Sequence, residues 1–69
     1  MSDLTFNEKM VIQLMRNRAA GLHPQSNKEI AERFAVSEVY VSDIIRGRRS
    51  GKKAEEWRNR FADYAGMEA

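Results

Sequence analysis

The sequence predicts a small all-α bundle of three to four helices, and three observations lead there. Apolar residues recur at helical spacing in four stretches, most of them opened by a capping-type residue or closed by glycine. No period-2 run and no Asn-Gly or Asp-Gly turn marks a hairpin. The chain has 69 residues, which is one domain at most, with a core that is marginal unless the helices pack well or the chain oligomerises.

The first helix is expected over Phe6–Ala20. Thr5 and Glu8 form a capping-box pattern at its start, and Phe6, Met10, Val11, Leu14 and Met15 form its apolar stripe. Gly21 stops it, and Pro24 disfavours helix at His23 in the loop that follows. The second helix is expected over Asn27–Phe34. Ser26 is its N-cap, Glu29 lies at the position that completes a capping box, and Ile30, Ala31 and Phe34 share one face. Ala35, Val36 and Ser37 form a tight turn. The third helix, Glu38–Arg46, is capped by Ser37, stapled by Val36 against Val41, faces inward with Val41, Ile44 and Ile45, and ends at Gly47. A fourth is expected over residues 53–65, where Ala54, Trp57, Phe61 and Ala65 recur with Tyr64 beside them and Gly66 acts as the stop. Its stripe has to be buried, either on the first helix or on another subunit.

Residues 26–49, SNKEIAERFAVSEVYVSDIIRGRR, carry the functional signal. Two short amphipathic helices meet at a tight turn, the second ends at a glycine, and a dense basic run follows. The stretch resembles the helix-turn-helix of phage repressor and Cro-type regulators, and still more that of short phage-encoded proteins ending in a VSDIIRGRR-like phrase. Ala31 falls at that family's small-residue position, and Ile30, Phe34, Val36, Val41 and Ile44 at its core positions. The turn position that the family fills with glycine is Ala35 here, which costs roughly 1 kcal/mol if the backbone is left-handed. The resemblance covers residues 26–47 and extends weakly back to Leu4. It divides the chain into a trihelical helix-turn-helix domain (1–47), a basic hinge (48–53) and a C-terminal amphipathic helix (54–69).

Charge distribution supports nucleic acid more than the net charge of +2 does. Residues 1–45 carry five basic and six acidic side chains, residues 46–53 five basic and none acidic, and residues 54–69 two basic and four acidic. A localised patch of this kind binds phosphates even when the total charge is modest. There is no cysteine, so disulfides and thiolate metal sites are excluded. No apolar run is long enough to span a membrane, and MSDLTFNEKM does not read as a signal peptide. The expected location is a reducing, cytoplasmic compartment, with nucleoid association in a bacterial host implied by the resemblance.

By the resembled family's positions, the outward face of the third helix carries the base-reading candidates Ser37, Glu38, Val39, Ser42, Asp43 and Arg46. Arg46 can pair with guanine O6 and N7 or with a phosphate; Glu38 or Asp43 can accept from cytosine N4; Val39 can touch a thymine methyl. Glu38 suits the positive end of its own helix better than a base edge, and Asp43 can instead pair with Arg46 or a nearby arginine. Asn27 and Lys28 are phosphate candidates at a helix N-terminus. Tyr40 is either a phosphate contact or a core ring. Arg48, Arg49, Lys52 and Lys53 either grip phosphates, with a minor-groove arm as one form of that grip, or form a solvated linker. Trp57, Phe61 and Tyr64 are candidate partner or oligomer contacts.

Enzymatic chemistry finds no support. His23 is the only histidine, it lies in a loop beside proline, and no nucleophile–base pair or phosphate-cradling glycine loop accompanies it, so neither catalysis, a metal nor a cofactor is expected. The expected partner is double-stranded DNA, with homodimerisation open and no small-molecule ligand or membrane. The expected activity is that of a sequence-specific DNA-binding transcriptional regulator. Its rivals are an excisionase-like recombination factor and an interaction module docking on a host protein through the aromatic fourth helix.

Overall fold

Short polar caps open the first three helices, and left-handed stops close all four. A computed structural model describes residues 4–67, so residues 1–3 and 68–69 of the expected end segments lie outside it. The elements are α1 (Phe6–Ala20), α2 (Asn27–Phe34), α3 (Glu38–Arg46) and α4 (Lys52–Ala65). The chain is all-helical, with no strand among the described residues. At α1 the capping box is complete: the Glu8 amide donates to the Thr5 hydroxyl and the Thr5 amide to the Glu8 carboxylate. The Thr5 amide bond is the main reason that the Glu8 carboxyl lies below its ordinary pKa. Ser37 caps α3 by accepting from the Tyr40 amide at 3.0 Å.

Ser26 caps α2 more weakly, accepting from the Glu29 amide at 3.4 Å. The reciprocal half of the expected box is not made. His23 Nδ1 lies 2.6 Å from Glu29 Oε1, so the carboxylate that would return to the Ser26 amide turns to the loop instead.

All four helices end in a left-handed residue followed by one whose amide reaches back to the last turn, the Schellman pattern. Three of these residues are glycines. The fourth is Ala35, at φ 57°, the strained alanine that the turn between α2 and α3 requires. The next residue, Val36, donates its amide to the Ala31 carbonyl and packs its side chain on the core.

The core gathers one face from each helix: Met10 and Leu14 from α1, Ile30 and Ala31 from α2, Val41, Ile44 and Ile45 from α3, and Ala54, Phe61 and Ala65 from α4. α4 therefore folds back on its own chain. Phe34, at the end of α2, stands amid the rings of Trp57, Phe61 and Tyr64, with centroids 5.9, 5.4 and 5.7 Å away, and aromatic pairs at such spacings add to simple area burial.

The α1 stripe differs from its expected form. Val11 and Met15 are 48% and 54% exposed, while Asn17 is buried. The Asn17 amide nitrogen donates to the carbonyls of Pro24 (2.9 Å) and Ala65 (3.1 Å), and its oxygen accepts from Gln13 Nε2. One polar side chain thus ties α1, the 21–26 loop and the end of α4 together, and among the described residues no buried side-chain nitrogen or oxygen lacks a hydrogen-bond partner.

Candidate nucleic-acid interface

Because Val41, Ile44 and Ile45 hold one side of α3 in the core, the opposite side faces outward by helical geometry. Val39 and Arg46 are exposed on it, Val39 to 70%, while Glu38, three residues before Val41 and seven before Ile45, is exposed at the helix start beside the core-facing side. Ser42 is half-buried on the same side. Ser37 lies exposed at the helix start, with its hydroxyl oxygen already accepting from the Tyr40 amide.

Asp43 is set apart from these residues. Its carboxylate lies 3.8 Å from Arg48 Nη1 and 3.9 Å from Arg49 Nε, and its side chain is half-buried. At these separations the pairing is Coulombic rather than a close hydrogen bond. Asp43 therefore offsets part of the charge of Arg48 and Arg49 instead of standing free on the outer face. This is the nearby-arginine pairing, with Arg48 and Arg49 as the partners in place of Arg46.

The segment expected as a hinge is tied to the body at several points. The Arg48 amide donates to the Asp43 carbonyl at 2.9 Å. The Arg49 guanidinium covers the Tyr40 ring at 4.8 Å, a cation–π distance. The Arg49 carbonyl accepts from Arg58 Nη1 at 3.3 Å. Tyr40 in turn is half-buried and stands edge-on to Trp57 at 6.0 Å. Its ring thus belongs to the packing and also forms the platform for Arg49.

Lys52 and Lys53 lie on α4 rather than before it, since the helix begins at Lys52. Its cap is Gly51, at φ 101° and ψ 176°, a backbone region that glycine alone enters readily, and no side chain caps the first amides. Two exposed lysines thus sit at the positive end of a helix whose first N–H groups have no side-chain acceptor. Cations are unfavourable at that end and anions favourable. Arg48 and Arg49 lie immediately before it in the chain, both exposed.

At the start of α2, Lys28 is exposed and Asn27 half-buried beside the Ser26 cap. The α4 aromatics are divided. Phe61 has no exposed surface, because it fills the core, while Trp57 and Tyr64 are half-buried. Arg60 covers Trp57 at 5.3 Å and Arg33 covers Tyr64 at 5.6 Å. Phe61 is thus unavailable to a partner in this fold.

Sequence reasoning does not single out Arg58. It lines a groove with Arg46 at the end of α3, Arg49 and Ser50 from the α3–α4 connection, and Thr5, Phe6 and Asn7 at the start of α1. No local motif marks it, because its role depends on α4 folding back beside the connection. Among the described residues no group of three or more metal-ligating side chains converges. No described helix is long and apolar enough to cross a membrane. No family model matches the chain, and no curated protein or solved structure matches it.

Proposed function

We propose that this chain binds double-stranded DNA sequence-specifically and acts as a small transcriptional regulator of the Cro/repressor kind, without enzymatic activity. The observation that carries this reading is the start of α4. Lys52 and Lys53 occupy the positive end of a helix with no side-chain cap, directly after Arg48 and Arg49. Each of these features lowers helix stability in the free protein, and each is relieved when a phosphate arrives.

In this reading the outer face of α3 enters the major groove, which at about 12 Å wide admits one helix. Arg46 reads a guanine edge or a phosphate, Val39 contacts a thymine methyl, and Ser42 and Glu38 supply adaptable polar contacts. Asn27 and Lys28 brace α2 on the backbone, while Arg48, Arg49, Lys52 and Lys53 supply electrostatic affinity without sequence preference. Asp43 moderates that affinity by holding part of the arginine charge, which favours dependence on a matching site. Repression follows from occupying a promoter.

The test is selection of bound duplexes from a random pool, followed by a salt titration on the winner. Neutralisation of five phosphates, by Lys28, Arg48, Arg49, Lys52 and Lys53, predicts a log–log salt slope of about −4.5, and replacing Arg48 and Arg49 together by alanine reduces its magnitude by about 1.8. Replacing Arg46 by alanine changes the preferred sequence. A pool that yields no enriched duplex refutes the proposal.

A further inference from the structure

Arg58 occupies a place on α4 where the helical pattern calls for an apolar side chain. It lies four residues after Ala54 and three before Phe61, both buried, so it belongs to the stripe by which α4 packs on the core. It is half-buried there. An arginine is seldom taken out of water without a charged partner, because lost hydration costs free energy that only an anion or several hydrogen bonds return. Among the described residues Arg58 makes no ion pair, and its one side-chain hydrogen bond is donated from Nη1 to the Arg49 carbonyl at 3.3 Å. That bond uses one of the five N–H donors of a guanidinium.

The groove that Arg58 lines, of about 400 Å³, has the composition of an anion site. Arg46, Arg49 and Arg58 contribute to its walls, and no lining residue is acidic. Phe6 and the buried Ile45 add apolar surface, and low-dielectric walls around charge of one sign focus the field and gather anions. The carboxylates nearest in the chain are engaged elsewhere. Glu8 accepts from the Thr5 amide, and Asp43 is shared between Arg48 and Arg49 at 3.8 and 3.9 Å. Asp43 offsets Arg49 in part and leaves Arg46 and Arg58 without an ion pair among the described residues. Two of the three guanidinium groups are already positioned, Arg49 over the Tyr40 ring and Arg58 by the Arg49 carbonyl, which lowers the cost of ordering them around a ligand. An anion shared among them relieves both their mutual repulsion and the lost hydration of Arg58. The planar fork of a guanidinium matches the oxygens of a phosphate.

We propose that this groove binds a phosphate group, with Arg58 and Arg49 as its principal ligands. That chemistry has two sources, a phosphodiester of a DNA backbone and the phosphate ester of a small molecule. The proposal does not rest on DNA binding, because free phosphate tests it alone.

The test is a titration of isotope-labelled chain with inorganic phosphate in place of chloride at constant ionic strength, read at the arginine Nε–H signals and the backbone amides. The expected result is a saturable shift at Arg49 and Arg58 and at the neighbouring Asn7 and Ser50, with a midpoint of about 1 mM, within reach of two or three charge-assisted bonds. Arg58→Gln keeps a donor for the Arg49 carbonyl and removes the charge; it raises the midpoint about tenfold. Arg16→Gln makes the same change of charge at an exposed α1 position outside the groove and leaves the midpoint in place. Should Arg58→Gln fail to fold, Arg49→Gln, at an exposed position, makes the same comparison. Shifts that rise without saturating, or a midpoint moved equally by Arg16→Gln, mean an adventitious ion only and overturn the proposal. A second arm names the source of the phosphate. A selected duplex bound about tenfold more weakly by Arg58→Gln than by Arg16→Gln places the phosphate on the DNA backbone. Equal duplex affinity of the two variants, with the free-phosphate site intact in the native chain, assigns the groove to a small phosphate ester.

Discussion

Replacing Lys52 by glutamate is predicted to move stability and DNA affinity in opposite directions. Lys52 is the first residue of α4, exposed, and next to an N-cap glycine that contributes no side-chain bond. Exchanging a cation for an anion at a helix N-terminus reverses an interaction of about 0.3–1 kcal/mol and so gains about 0.6–2 kcal/mol. Glu56 lies one turn on, so the exchange also turns an i,i+4 attraction into a repulsion, at a cost of about 0.4–1 kcal/mol. With each range taken at its middle, the net is a stabilisation of about 0.6 kcal/mol, which for a domain of this size raises Tm by roughly 2–5 °C. Binding responds the other way: one phosphate contact is lost, the salt slope shrinks by about 0.9, and affinity at moderate salt falls about tenfold. Thermal melts and fluorescence anisotropy on the same preparations read both quantities. A Lys52→Glu chain that melts higher yet binds as well as the native protein refutes the phosphate role of this helix end. One that melts lower refutes the electrostatic account of it.

Three further perturbations probe the scaffold. Asn17→Ala removes the donor to the Pro24 and Ala65 carbonyls and is expected to cost about 2–4 kcal/mol, a large part of the total for a domain this small, visible as a reduced urea midpoint. Ala35→Gly relieves a left-handed alanine on the exposed turn and is expected to raise stability by about 0.5–1 kcal/mol after the added chain entropy of glycine, read as a higher Tm. Glu8→Gln keeps the capping acceptor but removes its charge. Because the Glu8 carboxyl is lowered below 4.5 in the fold, the native chain's advantage over this variant is full above that value and disappears as pH falls through the lowered one, as paired chemical denaturation at several pH values can show.

The helix boundaries are legible in the chain because they are set by local chemistry. Thr5, Ser26 and Ser37 open helices, and Gly21, Gly47 and Gly66 close them, wherever the tertiary structure places them. What depends on distant partners is not legible in this way. Asn17 reads as a polar surface residue until Ala65, far along the chain, is brought against it. Val11 and Met15 fit the α1 stripe by spacing, yet the packing of α3 and α4 selects a face centred on Met10, Leu14 and Asn17 instead. Glu29 has the spacing of a capping box, but His23, from the preceding loop, engages its carboxylate. At the candidate interface, the outward direction of Val39 and Arg46 follows from helical period and from the burial of Val41, Ile44 and Ile45. The engagement of Asp43 with Arg48 and Arg49, and the part taken by Arg58, follow only from how the α3–α4 connection folds. The start of α4 at Lys52 gives two lysines of an apparent linker a defined electrostatic setting.

The central claim is that the solvent side of α3 and the adjoining cationic helix start form one DNA-reading surface. Amide chemical-shift mapping with the selected duplex tests it most directly. The account predicts shifts concentrated at Val39, Ser42, Arg46, Arg48 and residues 51–53, with Val11 and Met15 unmoved by the oligonucleotide itself. Shifts confined to α1, or a spectrum unchanged at saturating duplex, would contradict it.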